Sequence, residues 1–154
     1  MHAAEKPPVV PHNAPAAPPA HGAAGRTAGL ILLAHGARDA AWAAPFERVA
    51  AAVRAARPGL AVALAYLEFM APDLPSAGAA LAQAGCRHVT VLPLFLGVGG
   101  HVRKDLPVLL ERLRAQHPGV RWTLAPTIGE DARLVAAIAA IALDAADAEY
   151  DVRL

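Results

Sequence analysis

From residue 29 the chain alternates between aliphatic runs of strand length and stretches patterned as helices. This alternation constrains the fold more tightly than any other feature. GLILLA (29–34), AVALAYL (61–67), HVTVLPLF (88–95) and VRWTLA (120–125) are the strand candidates, with Pro93 placing the end of the third near the sheet's end. Between them, Ala41–Arg57 carries Phe46, Val49 and Val53 at helical spacing and is stopped by Pro58 and Gly59. Asp73–Ala84 reads as a shorter helix, with Pro75 in its first turn and Gly85 as its stop. Arg103–Gln116 aligns Leu106, Leu109, Leu110 and Leu113 on one face. Asp131–Ala146 closes the pattern as a very apolar helix. Its Leu134, Val135, Ile138 and Ile141 are explained most simply by core packing, and a subunit interface would use the same residues.

Parallel strands need crossover connections, and those connections are usually helices that cover the sheet. The pattern therefore predicts an α/β fold: a flavodoxin-like open parallel sheet of four or five strands with helices on both faces. One domain is expected over residues 29–147, with a short tail at 148–154. Residues 1–28 differ in kind. They hold six of the 14 prolines and, among aliphatic residues larger than alanine, only Val9 and Val10. Such a segment buries too little apolar area to offset its ordering entropy, so a disordered tail is expected. It lacks the basic start and apolar run of a secretory signal. Its His2, His12 and His21 are widely spaced and read as solubilising residues.

Charge and cysteine content narrow the function classes. Lys+Arg 14 against Asp+Glu 13 leaves a formal charge of +1, without the positive excess that drives nucleic-acid binding. No uninterrupted stretch suits a membrane span. The single cysteine, Cys86, allows no intrachain disulfide and fits a reducing, cytoplasmic setting.

In open parallel sheets, ligands sit beyond the carboxyl ends of the strands. His35 follows the first strand directly, and Glu68 closes the second. His101 follows the third through a loop containing Gly97, Gly99 and Gly100, and Glu130 follows the fourth. Gly36, beside His35, implies a sharp turn or a close approach. The loop glycines leave room for something large and flat. Glu130 is placed in the first turn of the last helix, where a carboxylate suits the helix dipole. Arg38, Arg103 and Lys104 flank the histidines, and an anionic ligand would explain cations at a helix start. Glu68 reads equally as a metal ligand, a hydrogen-bond acceptor or a solvated strand-end charge. Two imidazoles with an optional carboxylate suit a borderline divalent ion such as Co, Ni, Fe or Zn. A closed structural zinc site is excluded, because the chain cannot supply four such ligands. GVGGH lacks the spacing of a phosphate-binding fingerprint, so no nucleotide or organic cofactor is expected.

LLAHGARD, YLEFMAPDLP and PLFLGVGGHVRKDLP together resemble segments of the small sirohydrochlorin chelatases, over roughly residues 29–130. These are class II chelatases that insert cobalt, nickel or iron into a tetrapyrrole on the way to cobalamin, a nickel coenzyme or sirohaem. The resemblance implies that His35 is proton acceptor and metal ligand, and that His101 is the second metal ligand. It further implies that Leu96, Gly97, Val98, Gly99 and Gly100 form a backbone shelf against the macrocycle. Ala71 stands at a macrocycle-lining position where many members carry glutamate, so this chain departs from the family there and leaves Glu68 as the nearest carboxylate. The metal is implied as a substrate, sirohydrochlorin as its acceptor and a homodimer as the assembly, with no nucleic acid or membrane partner. Arg38, Arg103 and Lys104 are the expected partners of the rim carboxylates. Two rival readings remain from the residues: a metal or tetrapyrrole carrier, and a histidine phosphatase, against which Ala34 stands where that class places an arginine.

Overall fold

A computed structural model describes residues 28–148, so the readings made for residues 1–27 and 149–154 lie outside it. Four strands, β1 (Ala28–Ala34), β2 (Ala61–Tyr66), β3 (His88–Pro93) and β4 (Arg121–Leu124), form one parallel sheet in the order β2-β1-β3-β4. The helices are α1 (Ala44–Ala56), α2 (Leu74–Gln83), α3 (Gly100–Gln116) and α4 (Ala132–Asp147). This is the expected parallel α/β architecture.

The pleat sorts side chains by parity, and the register fixes which residues share a face. Gly29 pairs with Ala61 and Val89, and Ile31 with Ala63 and Val91, so odd positions of β1 look one way. On that face Ile31, Leu33, Val89 and Val91 are fully buried beneath Leu74, Ala77 and Leu81 of α2 and Leu106, Leu110 and Leu113 of α3. The other face carries Leu30, Leu32 and Leu92 near α1 but turns polar toward β4, where His88 Nε2 lies 3.2 Å from Thr123 Oγ1.

Two helix boundaries differ from expectation. The first helix is preceded by a short 3-10 turn, Ala40–Ala43, capped by Asp39, which accepts from Ala41 N–H at 2.9 Å. Pro45 then opens α1, where its missing N–H has no intrahelical role. Helix α3 starts at Gly100 rather than Arg103, because extended Gly99 serves as its N-cap and a first turn tolerates glycine. The expected loop therefore loses Gly100 and His101 to the helix. The last helix departs most. None of its residues is buried, and Val135, Ile138, Ile141 and Leu143 are exposed by 43–67%. The core-packing assignment for α4 is thus overturned.

Candidate active site

The carboxyl ends of β1 and β2 are tied together by backbone bonds: Leu67 N–H donates to Ala34 O and Glu68 N–H to His35 O, both at 3.1 Å. This close approach depends on Gly36. Its φ is +95°, and a Cβ there would lie 1.9 Å from the Glu68 carbonyl oxygen. With the two chain segments so close, the side chains of the residues just past each strand meet. His35 Nε2 lies 2.7 Å from Glu68 Oε1, with both side chains about half exposed, at 50% and 49%. The buried Phe95 ring stands edge-on to the imidazole at 6.4 Å between centroids.

This pair forms part of the wall of an open cavity of about 410 Å³. Leu67, Val102, Leu106 and Leu109 give it an apolar lining, and Asp105 and Arg112 add opposite charges from α3. Sequence reasoning missed Asp105 and Arg112. Val102, Asp105, Leu109 and Arg112 follow helical spacing beside the leucine face, and three of the four already lay within the expected helix.

The remaining candidates scatter. His101 sits exposed in the first turn of α3 and lines none of the cavities described. Among the described residues no three His, Cys, Asp or Glu side chains form a group able to hold a metal. The geometry therefore brings His35 and Glu68 together but does not bring His101 to them. Glu130 ends a 3-10 turn, Ile128–Glu130, and does not enter the last helix, because Asp131 takes the cap position. Asp131 accepts from Arg133 N–H at 2.8 Å, and the Arg133 guanidinium beside it holds its carboxyl down at about 2. Glu130 and Arg103 line a separate hollow of about 170 Å³ on the other side of α3. Ala71 lies by the β2 edge with Glu47 and Tyr66, away from His35. Burial, and then Glu47, push the Tyr66 hydroxyl up.

Arg38 stacks over Phe69, 4.7 Å from the ring centroid, and Phe69 holds a positive φ of 63° while 55% exposed. Neither the strain nor the stacking is readable from composition or spacing. The segment just past β3 is held by the 3-10 turn Ile128–Glu130: Gly129 N–H donates to Phe95 O at 3.0 Å, and a Cβ on Gly129 would meet Leu96 O at 1.8 Å. Leu96 itself is 66% exposed at the rim.

A four-stranded parallel α/β unit with a histidine–carboxylate pair just past its strand ends is the class this fold and site define: a small open-sheet protein with a polar pair on its rim. Comparison with known proteins narrows it. A family model described as CbiX matches residues 29–145. The sirohydrochlorin cobaltochelatase of Sulfurisphaera tokodaii is 29% identical over 106 residues, covering 69% of this chain and 83% of that protein. The sirohydrochlorin ferrochelatase of Bacillus subtilis is 29% identical over 75 residues, covering 49% of this chain; the match spans only 29% of the length of that protein. The crystal structure of a putative cobalamin biosynthesis CbiX protein from Marinobacter aquaeolei superposes with a TM-score of 0.69 at 38% identity, over 78% of this chain and 98% of that one. The chain belongs to the CbiX family.

Proposed function

We propose that this protein inserts a divalent metal ion, Co²⁺ first and Fe²⁺ or Ni²⁺ as the alternatives, into sirohydrochlorin for cobalamin or sirohaem synthesis. It does so as a cytoplasmic homodimer whose catalytic unit is residues 29–147. One observation carries the reading: the 2.7 Å contact of His35 with Glu68 on the wall of an apolar, solvent-open cavity. Two donor atoms that ligate one ion at right angles, each about 2.1 Å away, lie about 3 Å apart. The His35–Glu68 pair already stands close to that spacing, so an ion can replace the shared proton with little movement.

Metallation removes two N–H protons from the macrocycle as M²⁺ enters. Each group that releases the ion then holds a free lone pair and takes one proton, His35 on its imidazole and Glu68 on its carboxylate. Both are half exposed and return those protons to water. Imidazole suits this exchange because its neutral form both coordinates and accepts a proton near neutral pH. His101, exposed at the start of α3 and apart from that pair, is proposed to meet the ion before it reaches His35 and Glu68. The backbone of Leu96, Gly97, Val98, Gly99 and Gly100 supports the macrocycle, with Ala71 at its margin. Arg38, Arg103 and Lys104 pair with rim carboxylates, and Arg112 on the cavity wall adds a further cation.

The test is an anaerobic absorbance assay of sirohydrochlorin with Co²⁺, Ni²⁺ and Fe²⁺ in turn. Acceleration over the protein-free rate with at least one metal, abolished by His35→Ala, is the expected result. No acceleration with any of the three, or an unimpaired His35→Ala, overturns the proposal. Macrocycle binding without acceleration marks a carrier instead.

A further inference from the structure

The cavity beside His35 and Glu68 is bordered by a cation that no described residue engages. Its α3 wall carries Val102, Asp105, Leu109 and Arg112, which step by three and four residues along one flank of the helix. The path from Val102 to Arg112 covers about 15 Å of helix. Helix α3 starts at the carboxyl edge of the sheet and runs back along it, so Arg112 lies at the end of this wall farthest from that edge. Among the described residues, the side chains of Asp105 and Arg112 make no hydrogen bond or ion pair, and Glu111 is held by Arg114. Cations at the other described hollows are engaged or opposed. Arg54 donates to Val62 O at 3.0 Å, Arg133 is bonded to Asp131, and Arg103 shares its hollow with Glu130.

We propose, resting on the chelatase reading, that Arg112 binds a carboxylate arm of the macrocycle while unpaired Asp105 keeps such arms off the middle of the cavity. A guanidinium takes a carboxylate through two parallel N–H···O bonds, which fix direction as well as distance. A carboxylate set beside Asp105 would instead meet a like charge next to Leu106 and Leu109, where water screens it less than at the open surface. The apolar side chains between the two charges offer contact to a flat ring. A tetrapyrrole with its arms is larger than the cavity of about 410 Å³, so only one edge of it enters, and the charges on α3 decide which edge. With the centre of the ring at His35 and Glu68, an arm held by Arg112 sets the orientation of the ring before the ion arrives. Arg112 thus selects for acidic macrocycles and takes no part in removing their protons.

The test is an anaerobic absorbance titration of the metal-free full chain with sirohydrochlorin, at low and at high ionic strength. Arg112→Gln is expected to raise Kd about tenfold at low ionic strength and to remove most of its salt dependence. Arg112→Lys keeps the charge without the fork and should lose only about threefold. Asp105→Asn should move the other way and bind about twofold tighter. Both positions are exposed on a helix and the replacements are compatible with one, so the fold survives, which circular dichroism verifies. In the metallation assay, the Arg112→Gln loss falls on the KM for sirohydrochlorin and not on that for Co²⁺. An unchanged Kd in Arg112→Gln, a loss identical at both ionic strengths, or weaker binding by Asp105→Asn overturns the assignment. If wild type binds and metallates sirohydrochlorin and Arg112→Gln does so equally well, the role of Arg112 alone is lost. A wild type that does not bind the macrocycle overturns the chelatase reading with it.

Discussion

The two faces of the sheet teach different things about how this chain is completed. On one face α2 and α3 seal Ile31, Leu33, Val89 and Val91 to full burial, and Trp122 and Cys86 join the same cluster. On the other face Ala34, Ala43 and Tyr66 form a small cluster, while Leu30, Leu92 and Leu94 remain partly open along an apolar hollow beside Phe46 and Val49 of α1. The first face is finished by local chain. The second has the composition of a core and the exposure of a surface, so an equal truncation is expected to cost less there than on the first.

Substitutions can break this contrast. Leu113→Ala, on the sealed face with no exposure, is expected to cost about 3 kcal/mol in urea unfolding at every protein concentration. Leu92→Ala, the same chemical change on the open face, should cost less than half of that in dilute protein. Equal costs would abolish the distinction between the faces. Gly78→Ala sharpens it, because a Cβ there would lie 2.6 Å from Leu113 Cδ2 and 3.1 Å from the Trp122 ring. Overpacking of about 1–2 kcal/mol is expected, visible as a lowered midpoint with an unchanged denaturant slope. The smallest effect separates the two helix caps. Asp73 caps α2 by accepting from Ser76 N–H at 2.8 Å, and Asp73→Ala should cost about 1 kcal/mol. The Ser76 bonds hold the Asp73 carboxyl below its ordinary 3.8, so its contribution is complete above that pH and is lost as acid carries the folded group through its lowered value. Asp131→Ala, at the foot of the exposed α4, should cost less than Asp73→Ala, because solvent screens its bonds to Arg133. A pH titration of both variants against wild type checks the pair.

The sealed face was legible in the sequence because buried parallel strands read as unbroken aliphatic runs, and the leucine stripe of α3 fixes which side of that helix turns inward. The open face was not. A helix apolar for its own core and a helix apolar for a partner carry the same residues, so Val135 and Ile138 invited a core assignment that their exposure contradicts. The rim divides in the same way. His35 and Glu68 were findable because each immediately follows a strand, and strand ends in this architecture converge. Asp105 and Arg112 fell inside the expected helix but beside its leucine face, and spacing alone does not say which flank of that face borders a cavity. Glu130 was misplaced because the residue after it is a stronger cap.

Phe69 carries a consequence of its own. A bulky L-residue in the left-handed region costs roughly 1 kcal/mol that glycine would not incur, and the Arg38 guanidinium stacked on its ring offsets part of that. A chain shaped by stability alone would place glycine at this corner. Phe69→Gly should relieve that backbone cost and release the Arg38 side chain in the same step, so the corner holds a guanidinium in place at the expense of backbone ease, which melting temperature and the order of the Arg38 side chain read out together.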